Sequence, residues 1–198
     1  EGVAVNDVVS LSKTLRHRGP DDEGFFLSYT GNISEHFRGD DTIEELRSLK
    51  HISENGKQSS LALMHRRLSI LDVSEMGHQP LVSDNERYVI VFNGEVYNYK
   101  EIRQELISKG HQFKSESDTE VVLNSFVEWG EKCVERFVGM WAFVIHDKQE
   151  NTLVLSRDRY GVKPLYFYQR GSYFAFASEI KALLKLSKVD SRISNEDL

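Results

Sequence analysis

Phe92-Asn93-Gly94-Glu95 holds the residue types best suited to act on a carbonyl group. Asn-Gly favours the positive-φ turn of a two-residue hairpin, and the dipeptide alone reads as such a turn. Glu95-Val96-Tyr97-Asn98 and then a helical pattern come next in the chain, so no returning strand is predicted. A backbone that turns sharply after a buried strand can also aim an N–H, and the Asn93 amide, into a cavity. Two such donors make an oxyanion hole, and losing one typically costs roughly 10²–10³-fold in rate.

His65-Arg66-Arg67-Leu68-Ser69-Ile70 sets two arginines inside an otherwise apolar strand. Neighbouring strand residues point to opposite faces, so at most one of the two faces a pocket. A solvated edge strand explains either arginine. A buried one needs a carboxylate, which a substrate held by the planar guanidinium fork would supply. Ser117-Asp118-Thr119-Glu120 precedes a helical pattern, so Asp118 reads first as an N-cap and second as a partner for a substrate ammonium. A carboxylate binder, an ammonium binder and oxyanion donors would together suit an α-amino acid with a reactive carbonyl. No nucleophile accompanies them. Cys133, the single cysteine, sits amid Val134 and Phe137 and reads as a small buried hydrophobe. His65 and His78 lack the spacing and companions of a metal site. Arg159-Tyr160-Gly161-Val162-Lys163-Pro164 reads as a turn fixed by its Gly and Pro.

The elements that must position these residues are set by periodicity. Asn6 and Asp7 are cap-type residues, and Val8, Leu11 and Leu15 recur at helical spacing ahead of Gly19-Pro20. Gly24 to Tyr29, Leu61 to Leu71 and Tyr88 to Asn93 read as strands. The polar stretch 30–60 reads as a surface insertion, with capping-box spacing at Thr42-Ile43-Glu44-Glu45 and one weak apolar stripe of Ile43, Leu46 and Leu49. Two helices come after: Ile102 and Leu106 mark the first, ending at Gly110, and Val122, Phe126 and Trp129 the second, ending at Gly130. Trp141–Asp147 with Thr152–Asp158, and Leu165–Tyr168 with Tyr173–Ala177, form hairpin-like pairs, and Ser178 is placed to cap a last helix containing Ile180, Leu183 and Leu184. Sequential strand pairs with helices grouped between them point to antiparallel sheets covered by helices, an α+β fold.

The bulk numbers narrow the class. A length of 198 residues supports one good core or at most two small ones. Asp plus Glu outnumber Lys plus Arg by 31 to 25, which argues against nucleic acid as a partner. No apolar run approaches a membrane span, and one cysteine fits a reducing compartment; the expected location is cytoplasmic. Glu1-Gly2-Val3 lacks an initiator Met and a signal-peptide pattern, so residue 1 need not be the native start.

Seven segments in register resemble class II glutamine amidotransferases of the asparagine synthetase type. They are Arg16-His17-Arg18-Gly19-Pro20-Asp21, Arg67-Leu68-Ser69-Ile70, Gln79-Pro80, Phe92 to Asn98, Ser117 to Glu120, Asp158 to Tyr166 and Ala177 to Leu183. The resemblance implies an N-terminal-nucleophile hydrolase fold, a four-layer αββα sandwich of two antiparallel sheets. It implies hydrolysis of L-glutamine to glutamate and ammonia through a thioester on an N-terminal cysteine whose own α-amino group is the base. On that resemblance Arg67 would grip the α-carboxylate and Asp118 the α-ammonium. The Asn93 side chain and Gly94 N–H would stabilise the oxyanion, and Glu95 would help hold the amino acid. No cofactor or metal is implied for this domain; ATP and Mg belong to the C-terminal synthetase domain that the resemblance implies as a partner, and further copies of the chain are a second partner class. Three departures stand out. The family's Cys-Gly-Ile segment and first strand are not in the sequence, so residues 1–198 are expected to form an inactive glutaminase domain whose nucleophile lies about a dozen residues upstream, the room a strand needs. The 30–60 stretch is longer than usual, and the synthetase domain is absent. The last two motifs favour the asparagine synthetase branch. An amino-acid-binding or docking module that has lost its nucleophile, and an amide hydrolase using Cys133, are the alternatives.

Overall fold

Three consecutive apolar residues, Phe25-Phe26-Leu27, show how the strands are used. In the computed structural model, which describes residues 2–31, 33–70 and 74–190, all three are buried, because both faces of strand β1 (Asp22–Ser28) are covered. Phe25 and Leu27 pack with Val8 of helix α1 (Val5–Thr14), while Phe26 points the other way, towards Val89, Val91 and Val144 of a second sheet. The first sheet has the order β2-β1-β3, with β2 spanning Ser34–Arg38 and β3 Leu61–Arg67. The second has the order β4-β5-β6-β7, from Leu81–Val82, Tyr88–Val96, Gly139–Asp147 and Thr152–Arg157. All pairings are antiparallel.

The outer face of the second sheet is set by the same alternation. Ile90, Phe92, Trp141, Phe143 and Ile145 pack against helices α2 (Tyr99–Ser108) and α3 (Asp118–Trp129) through Ile102, Leu106, Val121, Val122 and Phe126. Each such buried side chain contributes about 1.5–3 kcal/mol. The layers therefore run α1, sheet, sheet, α2 with α3: the αββα sandwich. A separate hairpin, β8 (Tyr166–Arg170) with β9 (Tyr173–Ala177), and the short helix α4 (Ile180–Leu183) pack on Leu11 and Leu15 of α1.

Several local expectations are corrected. Strand β5 does not turn at Asn93-Gly94 but stays paired with β6 through Val96, opposite Gly139. A Cβ on Gly94 would lie 2.5 Å from the Met140 carbonyl oxygen and 2.8 Å from Trp141 Cα, so the glycine serves close strand approach. The caps of α1 and α4 are Ala4 and Glu179, neither with a side-chain cap bond; Asp7 instead accepts from Ser187 N and Oγ. The 30–60 stretch is more than surface: it supplies β2, buries Phe37 and Ile52, and forms only short 3-10 turns around its polar residues. Thr42 makes no capping box, because its hydroxyl donates to the Glu23 carbonyl and accepts from Gly39 N. The box is at His51 and Glu54. Glu1, Asn32 and Leu71 of the predicted segments lie outside the described residues.

Candidate functional site

Period-two alternation carries Arg67 and Asn93 to facing walls. Along β3, Leu63 faces the second sheet while Ala62 and Met64 face α1, so Arg67 falls on the inner face and Arg66 on the outer. Along β5, Val89 and Val91 face the first sheet, and Asn93 and Glu95 continue that row. A cavity of about 430 Å³ lies between them, its polar end lined by Arg67, Gln79, Asn93, Gly94, Glu95 and Asp118, its apolar end by α1, β3 and the β8–β9 hairpin.

The two arginines have opposite fates. Arg66 is fully engaged: Nη1 donates to Glu23 at 2.8 Å, Nη2 to Asp41 at 2.9 Å and Nε to the Gly19 carbonyl at 2.9 Å. Arg67, 7% exposed, donates Nη1 to the Ser74 carbonyl at 2.8 Å and meets no carboxylate among the described residues. A buried guanidinium without a counter-charge is costly and is uncommon outside binding sites.

Asp118 mirrors it. The N-cap of α3 is Ser117, whose Oγ accepts from Thr119 N, so Asp118 is released from the capping role. Its Oδ2 accepts the Val96 N–H at 3.0 Å, and no cation among the described residues pairs with it. Burial, reinforced by the Glu95 charge, pushes its carboxyl up to about 6, against the Val96 N–H and the N–H groups at the start of α3. Asn93 Nδ2 is buried with no hydrogen-bond partner, an idle donor aimed into the cavity. The structure thus brings Arg67, Asn93, Gly94, Glu95 and Asp118 together on one cavity, with a cation and an anion that meet no counter-charge, and an amide donor that meets no acceptor, among the described residues.

Cys133 is not among them. It is fully buried beneath α3, and burial pushes its thiol up to about 12, far from the thiolate form a nucleophile needs. The loop after β7 is built around Asp158, which accepts N–H bonds from Trp141, Tyr160, Val162 and Lys163. Those bonds outweigh burial and hold its carboxyl below the usual range. Glu179 joins two of the recognised segments by accepting from His17, Arg18 and Lys181. Gln79 reaches into the cavity and bonds both Phe92 and Thr119. Its contacts are tertiary, and no local spacing signals them. Among the described residues no three His, Cys, Asp or Glu side chains gather as a metal site requires, and no helix is long and apolar enough to cross a membrane.

Residues 50–198 match the family described as glutamine amidotransferase domain. Among curated proteins the chain is similar to two asparagine synthetases (glutamine-hydrolyzing) of Bacillus subtilis. Synthetase 3 is 43% identical over 68% of the chain and 22% of that protein, and synthetase 1 is 36% identical over 96% of the chain and 25% of that protein. The chain thus spans about a quarter of the length of these relatives. Among solved structures it resembles glutamine phosphoribosylpyrophosphate amidotransferase from B. subtilis, with a TM-score of 0.74 at 22% identity, covering 92% of the chain and 41% of that one. That likeness bears on the fold, which is of the N-terminal-nucleophile hydrolase kind.

Proposed function

Since the chain belongs to the glutamine amidotransferase domain family, in the class II branch typified by asparagine synthetases, we propose that its cavity binds L-glutamine and hydrolyses it to glutamate and ammonia. The observation that carries this is a pair of opposite buried charges on one cavity, Arg67 and Asp118, neither of which meets a counter-charge among the described residues. A zwitterion neutralises both at once. Arg67 takes the α-carboxylate in its planar fork and Asp118 the α-ammonium, with Glu95 adding negative potential beside it. The side-chain amide then extends towards β5, where Asn93 Nδ2 and the Gly94 N–H stabilise the oxyanion.

The nucleophile is a cysteine on a segment preceding Glu1. Among the described residues β3 pairs only with β1, and Val3 N donates to the Ser59 carbonyl at 2.8 Å in an antiparallel bridge just ahead of β3. A strand continuing that bridge backwards along β3 would run beside the cavity towards Arg67. Its thiolate attacks the amide carbon, the α-amino group passes the proton to the leaving nitrogen, ammonia departs, and water hydrolyses the thioester to glutamate. In this reading the ammonia serves an asparagine synthetase activity of the kind the relatives' names describe, carried by an ATP-dependent domain.

The test is labelling of the protein expressed from the complete reading frame with a diazoketone analogue of glutamine. A single cysteine adduct outside Cys133, blocked by excess glutamine, is expected. Glutamine binding without an adduct would make the domain an amino-acid-binding module, and neither binding nor adduct would end the amidotransferase reading.

A further inference from the structure

Gln79 bonds neither Asn93 nor Asp118 directly, yet the backbone next to each of them is joined through it. The residue is 6% exposed, on the wall of the same cavity. Oε1 accepts the Phe92 N–H at 2.7 Å, and Nε2 donates to the Phe92 carbonyl at 3.2 Å. An amide that both accepts from and donates to one residue's backbone reproduces the pairing of a neighbouring strand. It does so at the residue preceding Asn93. Nε2 also donates to Thr119 Oγ1 at 3.3 Å, and Thr119 is the neighbour of Asp118 in the first turn of α3. One side chain therefore spans β5 and α3 where the oxyanion donor and the ammonium binder sit.

Gln79 is itself held from behind. A Cβ on Gly24 would lie 2.2 Å from the Gln79 carbonyl oxygen and 2.4 Å from His78 Nε2, so this segment rests directly on β1. His78 Nδ1 bonds Asp22 Oδ2 at 2.7 Å, and Asp22 is the ladder partner of Arg67. The carboxylate binder is thus tied through Asp22, His78 and Gln79 to the other two groups.

We propose that Gln79 is a positioning residue that fixes the separation between Asn93 and Asp118. In glutamine two methylenes separate the α-carbon from the reacting amide, so the oxyanion donor works only if it sits one set distance from the ammonium binder. The inference rests on the glutamine reading above.

The test uses the protein from the complete reading frame. Gln79→Met keeps side-chain length and removes all three hydrogen bonds; it lowers kcat for glutamine hydrolysis by about 10–100-fold and raises KM by about threefold. Thr119→Val removes only the contact to α3, so it reproduces the KM rise with kcat held within about twofold. Gln79→Glu loses the donor half when ionised and regains it when protonated, so its kcat relative to the parent climbs as pH falls, while the Gln79→Met ratio stays flat. A structural role alone would not produce that pH profile. An active parent with kcat unaffected in Gln79→Met, or a Gln79→Glu ratio that does not move with pH, overturns the inference alone. Should Gln79→Met not fold, the Gln79→Glu profile decides. A parent that neither hydrolyses nor binds glutamine overturns the underlying reading and this inference with it.

Discussion

Replacing Asp118 with Asn separates what this carboxylate does for the ligand from what it costs the fold. Its folded pKa of about 6 lies above the ordinary 3.8, so folding favours the protonated form. The group's contribution is fully present below about pH 4 and is lost as pH rises through 6. At pH 7 the ionised side chain therefore costs the empty domain up to about 3 kcal/mol, at 1.36 kcal/mol for each pKa unit. Asn carries no charge, and its Oδ1 can still accept the Val96 N–H that Asp118 holds at 3.0 Å. Asp118→Asn is thus expected to stabilise the empty protein at pH 7 by about 1–3 kcal/mol, at about 2–4 °C of Tm for each kcal/mol, with the gain gone by about pH 4. Denaturation at both pH values reads this directly. Glutamine affinity, measured by calorimetry, should move the other way. The parent's ionised fraction falls from about nine-tenths at pH 7 to about one-tenth at pH 5, so its affinity drops roughly tenfold, whereas Asp118→Asn binds weakly at both. A variant that is less stable at pH 7 and still binds glutamine would refute this reasoning and leave Asp118 a structural residue of α3.

Three further substitutions give sharp outcomes. Arg67→Met should weaken glutamine binding by about 2–4 kcal/mol in calorimetry with little loss of Tm, whereas Arg66→Met should destabilise by about 3–5 kcal/mol, because it strands the buried Glu23 carboxylate, while Asp41 keeps Arg16. Gly94→Ala should cost about 1–3 kcal/mol in urea denaturation and reduce hydrolysis, since its Cβ forces β5 from β6. Cys133→Ala should cost about 1–2 kcal/mol of stability and leave glutamine hydrolysis within about twofold of the parent in an ammonia-release assay.

Much of this arrangement is legible in the chain because it rests on period two. Arg66 and Arg67 had to diverge, and the helix ends at Gly110 and Gly130 come from residues that take positive φ without cost. The seven recognised segments pointed to the family. The parts that could not be read have physical causes. Strand β2 is Ser34-Glu35-His36-Phe37-Arg38, an edge strand with one buried apolar residue, too polar for any alternation to show. Asn-Gly looks the same whether the chain turns or a partner strand needs the missing Cβ, and only the approach of Met140 distinguishes the two. Asp118 resembled a cap because Ser117, one residue earlier, is equally able to cap and does. Gln79-Pro80 stood among the recognised segments, but what Gln79 holds could not be read, because its partners Phe92 and Thr119 are 13 and 40 residues away.

The most direct test is a crystal structure of the protein with L-glutamate bound, since the product keeps both α-groups and is not turned over. The α-carboxylate should lie within hydrogen-bond distance of the Arg67 guanidinium and the ammonium on Asp118, with the side-chain carboxyl facing Asn93 Nδ2. Glutamate seated elsewhere, or Arg67 and Asp118 paired with each other or with protein groups in its presence, would show that the cavity is not built for an amino acid.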